Sequence, residues 1–128
     1  MPRISLIDEL AKAVDPAIIS TADDVLEEHS GDKWHASHLP EVVVQARSTE
    51  DVSRTMAFAH DYRVPVTTRG AGVGYVGGCV PVRGGIALSV MPMNRILEIN
   101  PADGVAIAQP GVITGELQAA ARERGWCY

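Results

Sequence analysis

Apolar residues recur along this chain with two different periods, and the switches between them set the expected order of elements. Leu6, Ile7, Leu10, Ala11 and Val14 fall at helical spacing behind Ser5-Leu6-Ile7-Asp8, which has the form of a capping box. A short amphipathic helix is therefore predicted up to Val14, with Asp15-Pro16 ending it. Ser20-Thr21-Ala22-Asp23-Asp24 offers a second cap, with a helical turn or two at Val25-Leu26. From Glu41 to Gln45 the pattern changes, and three consecutive valines predict a buried strand. Ser48-Thr49-Glu50-Asp51 is another cap box and opens a helix to Tyr62, with Val52, Met56 and Ala59 on its apolar face. Val64 to Thr68 is the next strand, and this strand–helix–strand unit predicts parallel pairing through a right-handed crossover.

Ile86 to Val90 reads as a further strand, followed by a short turn at Pro92-Met93-Asn94. Ile96–Ile99 and Val105–Ala108 flank Asn100-Pro101-Ala102-Asp103-Gly104, which predicts an antiparallel hairpin. Thr114 is placed to cap a last helix, with Leu117, Ala120 and Ala121 inward and Gly125 as its stop. A parallel unit joined to a meander predicts an α+β fold, a mixed parallel and antiparallel sheet flanked by helices. Residues 1–39 read as an N-terminal helical arm, and residues 40–128 carry the sheet.

Composition narrows the function classes. A chain of 128 residues with 46% apolar content suits one small globular domain. The formal net charge of −5 argues against a nucleic-acid or anionic-membrane surface. No apolar run reaches the length of a membrane span and no basic-then-apolar leader is present, so a cytoplasmic location is expected. Cys79 and Cys127 have no metal-ligand spacing; they read as buried or half-buried thiols, with a disulfide as the alternative. His35 and His38 stand three apart, but Gly31 and Pro40 disfavour a helix there and no carboxylate or cysteine completes a metal set. They read as polar loop residues.

The main chemical signal follows the Val64–Thr68 strand. Arg69-Gly70-Ala71-Gly72-Val73-Gly74-Tyr75-Val76-Gly77-Gly78 places five glycines within nine residues. Such a run lets backbone N–H groups converge on an anion, typically a phosphate or pyrophosphate; an ordinary flexible loop is the plainer alternative. Gly72 to Gly77 spells the G-x-G-x-x-G of dinucleotide folds, but Pro81 and Gly84-Gly85 preclude the helix that this motif must open. A nucleoside-triphosphate loop is excluded as well, since no Gly-Lys-Ser/Thr closes the run. The anion would be held by backbone N–H groups, with Arg69 either an anion partner or a strand-end charge. Valine at position 72 is expected to block that approach, sparing the fold only where φ there is negative. Gln109-Pro110-Gly111-Val112 is a turn in which glycine permits close backbone approach to a flat ring or a phosphate.

Taken in order, Thr68-Arg69-Gly70-Ala71-Gly72-Val73-Gly74, Gly77-Gly78, Pro40–Val44, Arg47–Val52 and Gln109–Val112 resemble FAD-linked oxidases of the vanillyl-alcohol oxidase and p-cresol methylhydroxylase type. The resemblance runs from Pro40 to Tyr128 and is nearest to the FAD subunit of glycolate oxidase and related D-2-hydroxyacid dehydrogenases. It implies the N-terminal part of a p-cresol-methylhydroxylase-type FAD-binding domain, truncated at Tyr128, with the arm packed on it. It also implies FAD at Arg69, Gly70, Ala71, Gly72, Val73, Gly74, Tyr75, Gly77 and Gly78, with Pro110 and Gly111 as a second contact. Val73 stands where some members carry the histidine that bonds FAD, so non-covalent FAD is implied. The implied reaction is oxidation of a D-2-hydroxy acid such as glycolate or lactate, with the catalytic base beyond Tyr128. Implied partners are that small-molecule substrate and an iron–sulfur subunit or domain, at a cytoplasmic site or peripheral to the inner membrane. A non-catalytic flavin or nucleotide module and a sugar-nucleotide reductase of the same superfamily are the alternatives.

Overall fold

The computed structural model describes residues 3–128; Met1 and Pro2, the start of the predicted arm, lie outside the described residues. The chain runs through α1 (Arg3–Ala13), one 3-10 turn (Pro16–Ile18), β1 (Ile19–Ser20), α2 (Asp23–Glu28) and β2 (Val42–Gln45). It continues through α3 (Thr49–Tyr62), β3 (Val66–Arg69), β4 (Ile86–Ser89), β5 (Ile96–Asn100), β6 (Val105–Ala108) and α4 (Thr114–Arg122). The fold is α+β, with parallel and antiparallel pairing both present.

The main sheet has the order β1-β2-β4-β3. The predicted parallel unit is there, but β2 and β3 do not touch: β4 lies between them and is parallel to both. Gly85 lets β4 enter that slot. Gly85 has φ +70°, and a Cβ on it would collide with the Pro65 carbonyl. Its own carbonyl accepts from the Glu41 N–H at 2.8 Å, while the Ile86 N–H donates to Pro65 O at 2.9 Å. The ladder therefore starts on both edges of β4 at the same level. β1 adds to the far side of β2 in antiparallel register, so the arm is joined to the sheet by backbone hydrogen bonds.

Strand side chains alternate between the two faces. Val42 and Val44 of β2 with Ile86 and Leu88 of β4 meet Leu6, Leu10 and Val14 from the first helical segment and Phe58 and Ala59 of α3 in one core. Val43 and Ala87 point the other way, onto Leu26 of α2. Burying such side chains contributes roughly 1.5–3 kcal/mol each, so these two layers supply most of the driving force.

Three local expectations are corrected. α1 already begins at Arg3, so Ser5 sits inside the helix rather than capping it. In α3 the inward residues are Thr55, Phe58 and Ala59, whereas Met56 is 46% exposed. Thr55 tolerates burial because its hydroxyl donates to Asp51 O at 2.7 Å, which a search for apolar residues alone overlooks. Thr114 is the first residue of α4, and the cap position is Ile113, which makes no side-chain cap bond. The Ser48 cap is as expected, its hydroxyl accepting from the Asp51 N–H at 3.1 Å. Gly125, at φ +78°, also ends the last helix as expected, with the Trp126 N–H closing back on Ala121 O at 3.0 Å. The β5–β6 hairpin forms as an antiparallel pair, but as its own two-stranded sheet.

Two measurements check these assignments in the whole protein. Gly85→Ala should lower the unfolding free energy by at least about 2 kcal/mol, because it combines positive-φ strain with a backbone collision. Gly115→Ala, on the open side of α4 with nothing within 4 Å of the added carbon, should instead raise it by about 0.5 kcal/mol. Urea unfolding midpoints that move in the same direction for both would refute this account of the glycines. Ser48→Ala should cost about 1 kcal/mol by the same measurement.

Candidate functional site

The three parallel strands end level with one another: Gln45 of β2 and Arg69 of β3 both pair with Ser89 of β4. Ligands of open parallel sheets bind outside such carboxyl ends, where the outgoing loops leave room. Here the glycine run leaves β3 and a tight turn, Val90 to Met93, leaves β4. The two are joined at their roots, since the Val90 N–H donates to Arg69 O at 3.0 Å.

Within the run the glycines divide into two kinds. Gly72 has φ +70° and a Cβ there would collide with the Arg69 guanidinium, so this position is glycine for reasons internal to the fold. The condition under which a valine at 72 would spare the fold, a negative φ, is therefore not met. Gly70, Gly74 and Gly78 are different: their φ values are not in the positive region, and no atom lies within 4 Å of an added Cβ. Nothing in the chain itself requires glycine at these places. They leave a backbone-lined shelf that a side chain would fill.

Arg69 lies beneath this shelf, only 8% exposed. Its Nη1 donates to Gly31 O at 2.8 Å, and it forms no ion pair with any described residue. A guanidinium buried without a carboxylate leaves positive potential beside the loop, which favours an anion. Gly77 has φ +76° and donates its N–H to Asp32 Oδ2 at 3.0 Å, so that group is already engaged. Ala71, Val73 and Tyr75 are exposed, and the Tyr75 ring meets Trp34 edge-on with centroids 6.2 Å apart.

Pro110 and Gly111 join the same place from the far end of the chain. Gly111 is buried and donates its N–H to Met93 O at 2.8 Å. A Cβ on it would collide with Val90 O and reach within 2.7 Å of Met91 O and 2.8 Å of Met93 O. The close approach predicted from this glycine is thus made to the chain's own post-β4 turn. That docking sets Pro110 opposite the glycine run: Ala71, Val73, Met91, Pro110, Gly111 and Thr114 share the lining of one cleft of about 370 Å3. Met91 and its turn carry no motif, and sequence reasoning missed them. The contacts of the arm segment Gly31–Trp34 with the glycine run were missed as well, since they span 38 to 45 positions of sequence and leave no periodic trace.

The three histidines of the arm separate. His29 is buried, with its ring Nδ1 2.8 Å from Val25 O at the end of α2, a structural role. His35 and His38 are exposed. Among the described residues no three His, Cys, Asp or Glu side chains gather as a metal site, and both cysteines are free.

The arrangement offers open backbone in a glycine run whose Gly72 abuts a buried guanidinium, and a cleft reached by Ala71 and Val73 of that run, with Val73, Met91 and Pro110 as apolar lining. It fits a ligand that joins a pyrophosphate to flat rings.

Comparison with known proteins agrees. Residues 40–128 match the family model described as FAD binding domain. The D-2-hydroxyglutarate dehydrogenase of Stutzerimonas stutzeri is 34% identical over 97% of this chain and 27% of its own length. The D-lactate dehydrogenase of Anaerostipes hadrus is 33% identical over 94% of this chain and 26% of its own. Glycolate oxidase subunit GlcD of Bacillus subtilis is 38% identical over 70% and 19%. This chain therefore spans 19% to 27% of the length of these relatives. Among solved structures, 4-ethylphenol oxidase from Gulosibacter chungangensis superposes with a TM-score of 0.81 at 27% identity, over 95% of this chain and 24% of that one. p-Cresol methylhydroxylase superposes at 0.78 and 23% identity, over 95% and 25%, a likeness of fold. The chain belongs to the FAD-binding domain family, with a fold of the p-cresol methylhydroxylase type, and FAD is the cofactor of this domain.

Proposed function

We propose that this chain holds FAD in a flavin-dependent oxidoreductase that oxidises a D-2-hydroxy acid of glycolate or lactate type to the 2-oxo acid. The observation that carries the reading is the convergence of Ala71 and Val73, from the glycine run that follows the buried Arg69, with Pro110 and Gly111 on one cleft. In this reading the N–H groups around Gly70, Gly72 and Gly74 receive the pyrophosphate, and Arg69 adds its charge from below. The Pro110–Gly111 turn and Met91 border the ribityl chain or the ring. Val73, 64% exposed on the cleft, offers no atom for a covalent bond, so the cofactor is held non-covalently. When bound, FAD would supply the hydride acceptor for oxidation at C2 of the hydroxy acid, with the hydroxyl proton passing to a base.

The names of three relatives at 33% to 38% identity support the hydroxy-acid class. A cytoplasmic location belongs to the same reading, as does an iron–sulfur subunit or domain that takes the electrons onward. No helix among the described residues is long and apolar enough to cross a membrane.

Acid precipitation of the purified whole protein should release its visible flavin absorbance into the supernatant; flavin retained in the pellet would refute non-covalent binding. Anaerobic addition of glycolate, D-lactate or D-2-hydroxyglutarate should bleach the flavin band. Bleaching by a nicotinamide nucleotide and by none of these acids would instead assign a sugar-nucleotide reductase.

Gly74→Ala should weaken FAD binding about tenfold or more by filling the shelf, while the melting temperature of the FAD-free protein moves by less than about 2 °C. Titration of the FAD-free protein with FAD reads this directly. Unchanged affinity would remove the loop from the site.

A further inference from the structure

The arm segment that follows α2 turns back on itself at Gly31 and Ser37, which form an antiparallel bridge with the Ser30 and Ser37 hydroxyls 3.0 Å apart. Its leading strand lies along the glycine run and is fastened there at three levels. Arg69 Nη1 donates to Gly31 O at 2.8 Å, the Lys33 N–H donates to Gly74 O at 3.1 Å, and the Gly77 N–H donates to Asp32 Oδ2 at 3.0 Å. One of these, Lys33 to Gly74, is a backbone contact that any residue would make. The other two each depend on one side chain, that of Arg69 and that of Asp32.

Asp32 is itself held in place. Its other carboxylate oxygen accepts from the Trp34 N–H at 2.9 Å, an Asx turn that aims Oδ2 at the loop. The other contacts described at the Gly77 end of the run are weaker or local: the Val80 N–H donates to Gly77 O at 3.1 Å, the Cys79 thiol lies 4.0 Å from Gly31 O, and the Tyr75 ring meets Trp34 edge-on. Gly77 carries positive φ, nothing lies within 4 Å of a Cβ added to it, and Tyr75 and Val76 before it are exposed, Val76 by 94%. A glycine-rich segment with so few packed atoms is costly to order, and a hydrogen bond from an amide to a carboxylate is among the stronger restraints available to it.

We propose that Asp32 is a positioning residue of the FAD site: by holding the Gly77 N–H it fixes the outer half of the glycine run in the open shape that FAD binds. Asp32 acts through the loop, so its role rests on the assignment of FAD to that loop. Its loss leaves the sheet core untouched, because Asp32 packs in neither hydrophobic cluster. The loop becomes mobile instead, and FAD must order it on binding.

The test uses the whole protein, freed of FAD and reconstituted, with hydrogen exchange over residues 70–78 and FAD titration as parallel readouts. Asp32→Ala should accelerate exchange at 74–78 in the FAD-free protein and weaken FAD binding about tenfold, with the melting temperature of the FAD-free protein nearly unchanged. Asp32→Asn, whose single carbonyl oxygen can accept from Gly77 or from Trp34 but not from both, should fall between wild type and Asp32→Ala in both readouts. Asp32→Ser preserves an oxygen for the Trp34 turn but is too short to reach Gly77, and should behave as Asp32→Ala. It serves where alanine disturbs folding.

Wild-type FAD affinity and exchange in the alanine and serine variants would overturn the proposal. Wild-type protein whose residues 70–78 gain no protection on FAD addition would instead overturn the assignment of FAD to the loop, and with it this role. Protection gained in wild type, together with undiminished affinity in the variants, would overturn the Asp32 role alone.

Discussion

The constraint on which the structure depends is the insertion of β4 between β2 and β3. All four residues of β4 are buried and both of its edges are hydrogen-bonded to parallel neighbours. Nothing can be added beside it, and no side chain on it reaches water freely. Entry into that slot is what demands the Gly85 conformation against Pro65. Exit from it determines the site. Because the three strands end in register, the loop after β3 and the turn after β4 leave the sheet at the same level. The turn then provides the carbonyl platform on which Gly111 sits. A slip of the ladder by one residue would reverse the faces of Ile86 and Leu88 and also separate the two halves of the cleft. Core packing and ligand geometry are in this sense a single condition.

Much of this was legible in the sequence, and the reason is that it is local. The Ser48 cap, the Asn100–Gly104 turn, the valine strand and the Gly125 stop are each written in neighbouring residues. The glycine run was legible for the same reason, since five glycines so close together have few structural uses. What was not legible is long-range. No pattern in Ile86–Ser89 says that it lies between the other two parallel strands rather than outside them. Nor does anything near Met91 say that it faces Ala71 and Pro110.

The glycines show a finer limit. Sequence treats those of the run as equivalent, but the structure gives them different duties. Gly72 makes room for the Arg69 guanidinium, Gly77 reaches Asp32, and Gly70, Gly74 and Gly78 leave open backbone. Gly111 was expected to admit a ligand and instead admits the carbonyls of Val90, Met91 and Met93. A glycine in sequence marks a close approach without naming what approaches. Only the surroundings of the absent Cβ decide that, and it is this criterion that separates residues that build the site from residues that border its contents.

Charge follows the same division between global and local. A net charge of −5 would make the protein as a whole a poor host for an anion. The described ion pairs all lie on the exposed surface, at Lys12–Glu9, Arg47–Asp15 and Arg54–Glu50, where solvent screens them. Arg69 is the contrary case, buried beside Gly72 with its Nη1 on Gly31 O and no ion pair to any described residue, so solvent screens its charge less. Burying it unpaired costs free energy that the fold alone does not recover. If the pyrophosphate lies on the shelf as proposed, it would offset that cost and so tie cofactor binding to the stability of the strand end that bears the loop.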